Sequence, residues 1–498
     1  MVAVVAVMAA AAMWAGTAGG SSHSISEHPA TVALTSLPSG PPPSPISWTT
    51  CPQQPDFQCG TVTVPLDYRH PDGSSLTLAV TRAPVPAGAH PTGTLVFNPG
   101  GPAESGNLIL PLYFGRFPAP VRRQFTIVSF DPRGTGSSEP LRCGTSSSVL
   151  ASLDPVPSAP GRPLPGTPAF TAMAQSCQAR ASALAASLTS TDNARDLDRI
   201  RQALGLSRVS FYGLSYGTVL GTVYADLFPH RVDRMILDGA VDLNASLVQQ
   251  AEQEAPAIER SLHHLFTTCA AAPACPLGTD PESTYRALAD SLTRQPLPAP
   301  GAGDPVPVTI GDLDTATLFD LSVPGFTPTF EAALVAARYG NGAPLRFLSL
   351  ELMNDIDGSP LVDALWATTC NDAAAHPGPV AAGNLVRTLG SRLPLIGAYS
   401  VEYTMGGCVA WPNPRQALTN VHPSHTPPVM VIGNTGDPNT PLIGARHLAG
   451  DFTSAGLVVW QGWGHTWLLS GSTDRCMQGL VTTYVTTGHL PPTGTHCA

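Results

Sequence analysis

The chain of 498 residues contains no lysine; all 25 of its basic residues are arginine. That absence removes whole classes of chemistry: no Schiff-base amine, no Ser-x-x-Lys nucleophile pair and no Walker lysine can be built. Set among so much alanine and proline, it points to biased genomic base composition rather than to function. Charge of either sign is scarce, at 12%, and the formal balance is −10. A nucleic-acid footprint needs the opposite. No C-x-x-C or H-E-x-x-H occurs, and the only adjacent histidines, His263 and His264, fall in a helical-looking run. No metal and no cofactor is therefore expected.

Long hydrophobic runs are lacking too. The N-terminal "MVAVVAVMAAAAMWAGTAGG" holds about fifteen apolar residues, too few to span a bilayer comfortably, and ends in small ones. It fits a secretory signal over residues 1–20, with an uncleaved apolar anchor as the alternative. No Arg or Lys precedes it, which suggests that translation starts further upstream. No cysteine lies near its end, so lipid anchoring is not expected. Residues 21–46, rich in Ser, Pro and Gly, read as a disordered leader. The expected location is extracellular, free or associated with the cell wall, without stable membrane insertion once the signal is removed. Ten cysteines, an even number, then read as disulfides in an oxidising compartment. Their connectivity stays open at this level. Sequence neighbours would close the smallest loops: Cys51 with Cys59, Cys143 with Cys177, Cys269 with Cys275, Cys370 with Cys408, and Cys476 with Cys497.

What the chain does have is ample apolar material, 43%, punctuated by 52 prolines and 47 glycines. "GTVTVPLDY" and "LTLAVTRAP" alternate with period two and predict an opening hairpin. "GTLVFNPGGP" and "FTIVSFDPRGTGSS" are buried-looking strands that run into Gly-rich loops. "TSTDNARDLDRIRQALGL" predicts a helix with Thr191 as N-cap and Leu197, Ile200 and Leu204 on one face. Strand "RVSFYGLS", helix "YGTVLGTVYADLFP" and strand "VDRMILDGAVD" follow. This is the text of a mostly parallel sheet covered on both faces. It dissolves near residue 245, gives way to mainly helical, Pro-broken sequence, and returns at "PPVMVIGNTGDPNTP". We read an α/β core over 47–245 and 421–498, with a helical cap inserted over 246–420.

In "FYGLSYGTVLG" Ser215 stands between Gly213 and Gly217. A turn that passes so sharply from strand to helix strains the serine backbone and admits only small neighbours, leaving the hydroxyl outward. A serine nucleophile needs a base, and the base an orienting acid. Asp437 lies just past the apolar run "VMVIGNTGD", and His465 just past "LVVWQGWGH". Asp238, ending "MILDG", is the rival acid. His447, His489 and His496 read as surface histidines. Charge developing on the substrate oxygen calls for waiting backbone donors. The Tyr216 N–H is one candidate, and Gly101 in the "NPGGP" loop supplies the other.

Taken together, "NPGGPAESG", "FDPRGTGSS", "GLSYGT", "GNTGDPNTP" and "GWGHT" resemble the secreted tripeptidyl aminopeptidases of actinobacteria, α/β-hydrolases related to proline iminopeptidases. The resemblance runs from about Cys51 to Cys497, and the cysteines near "DFQCGTVTVPLDY" and in "LPPTGTHC" support the neighbour pairings. It implies an α/β-hydrolase fold, with Ser215 as nucleophile, Asp437 as acid and His465 as base. The implied activity is release of short peptides from a free N-terminus, in a pocket roofed by the insertion. The chain departs from the family after "GGP": Ala103 replaces a glycine and would narrow the loop. Glu104 either pairs with a substrate ammonium or faces solvent. An aminopeptidase must also recognise a cation, and "QQAEQEAPAIER" offers Glu252, Glu254 and Glu259, which otherwise form a solvated face. The alternatives are an extracellular carboxylesterase on the same scaffold and, more remotely, a catalytically silent binding protein.

Overall fold

A computed structural model describes residues 42–86, 88–143, 159–300, 306–353, 361–412 and 416–498; the apolar run 1–20 and most of the leader, 21–41, lie outside them. Ten strands among the described residues form one sheet. They are β1 (Thr49–Cys51), β2 (Gln54–Pro65), β3 (Ser75–Ala83), β4 (Gly93–Asn98), β5 (Phe125–Phe130), β6 (Val209–Leu214), β7 (Val232–Asp238), β8 (Val429–Gly436), β9 (Ala455–Trp463) and β10 (Thr495–Cys497). Their spatial order is β1-β2-β3-β5-β4-β6-β7-β8-β9-β10. β1 to β3 are antiparallel, and β3 meets β5 antiparallel. From β5 to β10 every pairing is parallel.

The continuous apolar strands follow from that arrangement, because neighbouring residues point to opposite, equally buried faces. Val96, Phe211, Met235 and Val431 pack on one face against Leu197, Ile200, Val223 and Leu448 from three helices. Their immediate neighbours Phe97, Tyr212, Ile236 and Ile432 pack on the other against Leu110, Phe117, Val481 and Tyr484. Ile46, read from sequence as the end of the leader, is buried in the first of these clusters. The helix Ser190–Ala203 is capped by Thr189, whose side chain accepts the Asp192 N–H, and not by Thr191, which lies inside it. Thr189 wins because the helix starts two residues earlier than a cap at Thr191 implies.

Between β7 and β8 the described residues are mainly helical, from Leu247–Ala271 to Gly397–Met405, with a separate apolar core. That core also takes in Phe170, Met173 and Cys177 from the helix Thr167–Ser187, which the sequence reading assigned to the α/β part. Phe170 stands edge-to-face on Trp366, ring centroids 5.1 Å apart, and only a glycine at 406 leaves room for its ring. The cap is thus built from two segments of sequence. Five disulfides join the five neighbour pairs. Cys143–Cys177 ties the second cap segment together across 34 residues. Replacing both cysteines by serine should lower unfolding free energy by roughly 3–4 kcal/mol on loop entropy alone. Urea titration checks this; an unchanged midpoint would mean that packing alone holds the segment.

Candidate active site

Parallel register brings the motifs together. Asn98 pairs with Gly213, Leu214 with Asp238, Asp238 with Ile432, and Gly436 with Trp463. The loops carrying Gly101, Ser215, Asp437 and His465 therefore leave the sheet at one rim, its carboxyl end. Past that rim the contact is close. Ser215 takes φ 51°, its N–H donates to Asp238 O at 2.9 Å, and the Thr218 Oγ1 hydroxyl donates to Ser215 O at 2.6 Å. A Cβ on Gly213 would lie 2.3 Å from Gly217 O, and one on Gly217 would lie 2.7 Å from Asn98 O. The "NPGGP" loop abuts the same turn: a Cβ on Gly100 would come within 2.6 Å of Leu214 O and 3.0 Å of Ser215 Cβ. Gly100 and Gly101 both have positive φ, 102° and 105°. Tyr216 is the N-cap of the helix Gly217–Leu227, so its N–H lies at that helix's start.

His465 and Asp437 are in direct contact. Asp437 Oδ1 accepts the N–H groups of Asn439 and Thr440, each at 2.9 Å, and Oδ2 accepts Thr466 N at 2.9 Å and Thr440 Oγ1 at 3.0 Å. A carboxylate so placed acts as acceptor only, so His465 Nδ1, 2.9 Å from Oδ1, carries the proton and Nε2 is left basic. The rival Asp238 does not reach the histidine. Its oxygens accept Trp467 N, Leu468 N and Tyr212 Oη at 3.0, 3.1 and 3.0 Å. Burial raises its pKa to about 6 despite these donors. Asp238 anchors the chain just after His465. Of the other histidines, His447 is bonded to Asp242 at 2.8 Å.

Ser215, Tyr216, Gly101 and His465 line one cavity of about 520 Å3, within the usual range for small-molecule and peptide sites. Leu318, Phe319, Leu361 and Leu365 give it apolar walls. Among the described residues, three carboxylates open into it: Glu104, Glu254 and Asp372. Glu104 is half-buried, and burial raises its pKa to about 7. Glu254 is raised to about 7 by the same cause, against the opposing effects of Thr404 and His465. Both carboxylates act on Tyr403. The helix Leu247–Ala271 sorts its three acids by phase. Glu252 is exposed, while Glu259 turns away to accept Leu395 N and Ile396 N at 3.4 and 3.2 Å. Only Glu254 enters the cavity. Ala103, read from sequence as narrowing the loop, is buried in the cap-side core.

"FDPRGTGSS", given no role at the sequence level, proves to be a brace. Asp131 accepts Ser105 Oγ at 2.7 Å and Asn107 N at 3.0 Å through Oδ1, and Ser137 N at 2.9 Å through Oδ2. It thereby fixes the start of the helix that follows the "NPGGP" loop. Arg133, fully buried, forks onto Asp196 with two bonds of 2.7 Å and donates to Pro65 O and Leu66 O. If the rim is as crowded as these distances indicate, Gly100→Ala should cost at least about 100-fold in kcat for an activated ester. Active-site titration alongside will show whether folding survives; a loss under tenfold would contradict the crowding.

Residues 393–497 match the TAP-like protein family. Over 91% of this chain and 91% of the other protein, the sequence is 31% identical to "Serine protease Hip1" of Mycobacterium tuberculosis. It is 32% identical to "Carboxylesterase B" of the same species, covering 89% of this chain and 86% of that protein. With "Tripeptidyl aminopeptidase" of Streptomyces lividans the identity is 28%, over 89% and 84% of the two chains. Sheet order, the turn at Ser215 and this extent of similarity agree: the chain belongs to the TAP-like family of α/β-hydrolases and is a serine hydrolase.

Proposed function

We propose that the protein is an exported exopeptidase that releases short peptides, most simply tripeptides, from free N-termini. Ser215 is the nucleophile, His465 the general base and Asp437 the acid that holds the imidazole tautomer. Ser215 Oγ attacks the scissile carbonyl while His465 Nε2 takes its proton. The tetrahedral oxyanion is met by the N–H groups of Tyr216 and Gly101. His465 then protonates the departing amine, leaving the peptide esterified to Ser215. Water, deprotonated by the same nitrogen, releases it.

The observation that carries the aminopeptidase reading is that Glu104 and Glu254 both line a cavity with no arginine among its described lining residues. A substrate ammonium arriving there relieves two carboxylates that burial otherwise penalises. The apolar walls match the side chains between that end and the scissile bond. A carboxylesterase on this scaffold would use the same Ser215, and the apolar area of the cavity is what favours it. Export rests on the N-terminal apolar run and on the disulfides.

A fluorophosphonate probe should label the protein at Ser215, and Ser215→Ala should abolish both labelling and hydrolysis. Tripeptide anilides with free N-termini should then be cleaved at least about 100-fold better, by kcat/KM, than their N-acetylated forms. Equal rates would favour the esterase. The preference should also depend on pH. Carboxyl groups with pKa near 7 are charged above that value and neutral below it, so the free-to-acetylated ratio should fall as pH drops from 8 to 5.5. Taking a ratio cancels pH effects common to both substrates. Glu254→Gln should lower the ratio at pH 8 by roughly tenfold or more, about the value of one charge-assisted contact.

A further inference from the structure

Asp372 is the third carboxylate of the cavity, and the chemistry above makes no use of it. It ends the cap helix Leu361–Asp372 and is 7% exposed. Its oxygens accept the Ser190 N–H at 3.0 and 3.2 Å. The phenol of Tyr216 donates to Oδ2, and Ser190 Oγ lies 2.9 Å from that phenol oxygen. The helix end is held from both sides. Asn371 Nδ2 donates to Ala185 O and Leu188 O at 2.8 and 2.9 Å, and Leu418 N donates to Asp372 O at 2.8 Å. One carboxylate thus joins the cap, the first residue of the helix Ser190–Ala203 and the side chain next to Ser215.

The peptide that links Ser215 to Tyr216 carries a proposed oxyanion donor. It sits between a residue at φ 51° and a helix N-cap, and backbone so strained keeps one geometry only when its surroundings over-determine it. The backbone bonds of Ser215 supply part of that restraint. The Tyr216 side chain, clamped by Asp372, supplies a further hold on the same peptide. A buried carboxylate is costly, and burial is the main influence on this one, with Asp192 adding to it and the Tyr216 and Ser190 donors opposing it. An apolar contact would seat the helix with less penalty but would not fix the direction of a phenol.

We propose that Asp372 is a positioning residue: through the Tyr216 phenol it holds the Tyr216 N–H where the oxyanion forms, which makes the core's catalysis depend on a seated cap. The inference rests on the roles given above to Ser215 and Tyr216.

The test uses the full chain with Tyr216→Phe, Asp372→Asn and the double variant, assayed on an N-blocked activated ester that bypasses the ammonium site. Rates are expressed per site titrated to completion with the fluorophosphonate. Each single variant should lose roughly ten- to a hundredfold in kcat with KM within about twofold. The double variant should be no worse than the poorer single, because both changes cut one tether. A merely structural contact would lower the thermal midpoint or the titratable fraction and leave kcat per site alone. Retention of kcat within twofold by either single variant, or losses that multiply in the double, overturns the proposal. Ser215→Ala runs alongside: if it still turns over the ester, the reading of the site itself has failed, whatever the other variants do.

Discussion

The structure turns on a lack of space at the carboxyl rim of the sheet. There, the strand-to-helix turn at Ser215 and the loop after β4 approach so closely that a single added carbon at Gly100, Gly213 or Gly217 would overlap backbone. Two consequences follow from one constraint. The serine is pressed into φ 51°, with its neighbours' bulk excluded, so its side chain has only the cavity to face. The loop N–H groups and the start of the helix Gly217–Leu227 are brought to the same spot without any side chain reaching for it. Close packing of this kind does not relax by small adjustments, which suits donors that must already be in place when charge develops.

The cavity adds an electrostatic arrangement of a different kind. The chain carries few charges, yet places three carboxylates where burial lifts each toward neutrality, to about 7. Two of them, Glu104 and Glu254, share the surroundings of Tyr403, and the third is consumed by donors from Ser190 and Tyr216. Under the proposed function the first two would gain by meeting a cation, whereas the third already has its partners. Similar chemical groups therefore serve different ends according to the hydrogen bonds around them, as two carboxylates of one enzyme commonly do.

Much of this was legible in the sequence, for physical reasons that differ from element to element. The parallel strands are readable because burial on both faces makes them continuously apolar, as in "VSFYGL". The turn at Ser215 is readable because sterics leave glycine as the residue that fits. Asp437 and His465 follow from the order of the strands that precede them. Other features depend on contacts with no local signature. Thr191 looked like the helix cap, but Thr189 reaches the Asp192 N–H; both are threonines near the same boundary. The choice among Glu252, Glu254 and Glu259 depends on what the helix packs against, and the chain segment at Leu395 and Ile396 that claims Glu259 lies 136 residues away or more. Helix Thr167–Ser187 belongs to the cap because its apolar face meets Trp366, a pairing invisible before folding. Asp131 and Arg133 stood out as a motif, yet their partners Ser105 and Asp196 flank them from two directions in sequence.

Those long-range contacts also decide what the cap is. A roof that only excluded water could touch the rim anywhere. This one reaches the loops that matter: Ser322 O accepts the His465 N–H at 2.9 Å, Asn439 Nδ2, beside Asp437, donates to Ser322 Oγ at 3.0 Å, and Asp372 holds Tyr216. Gly464, at φ 106°, leaves no room for a Cβ beside Pro324, so cap and histidine loop are fitted to each other by sterics as well as by hydrogen bonds. The α/β core supplies the residues in order along its rim, and the cap supplies restraints on three of the loops that carry them. On this account the insertion is part of the candidate active site, because its own residues bond to the loops that carry Asp437, His465 and Ser215.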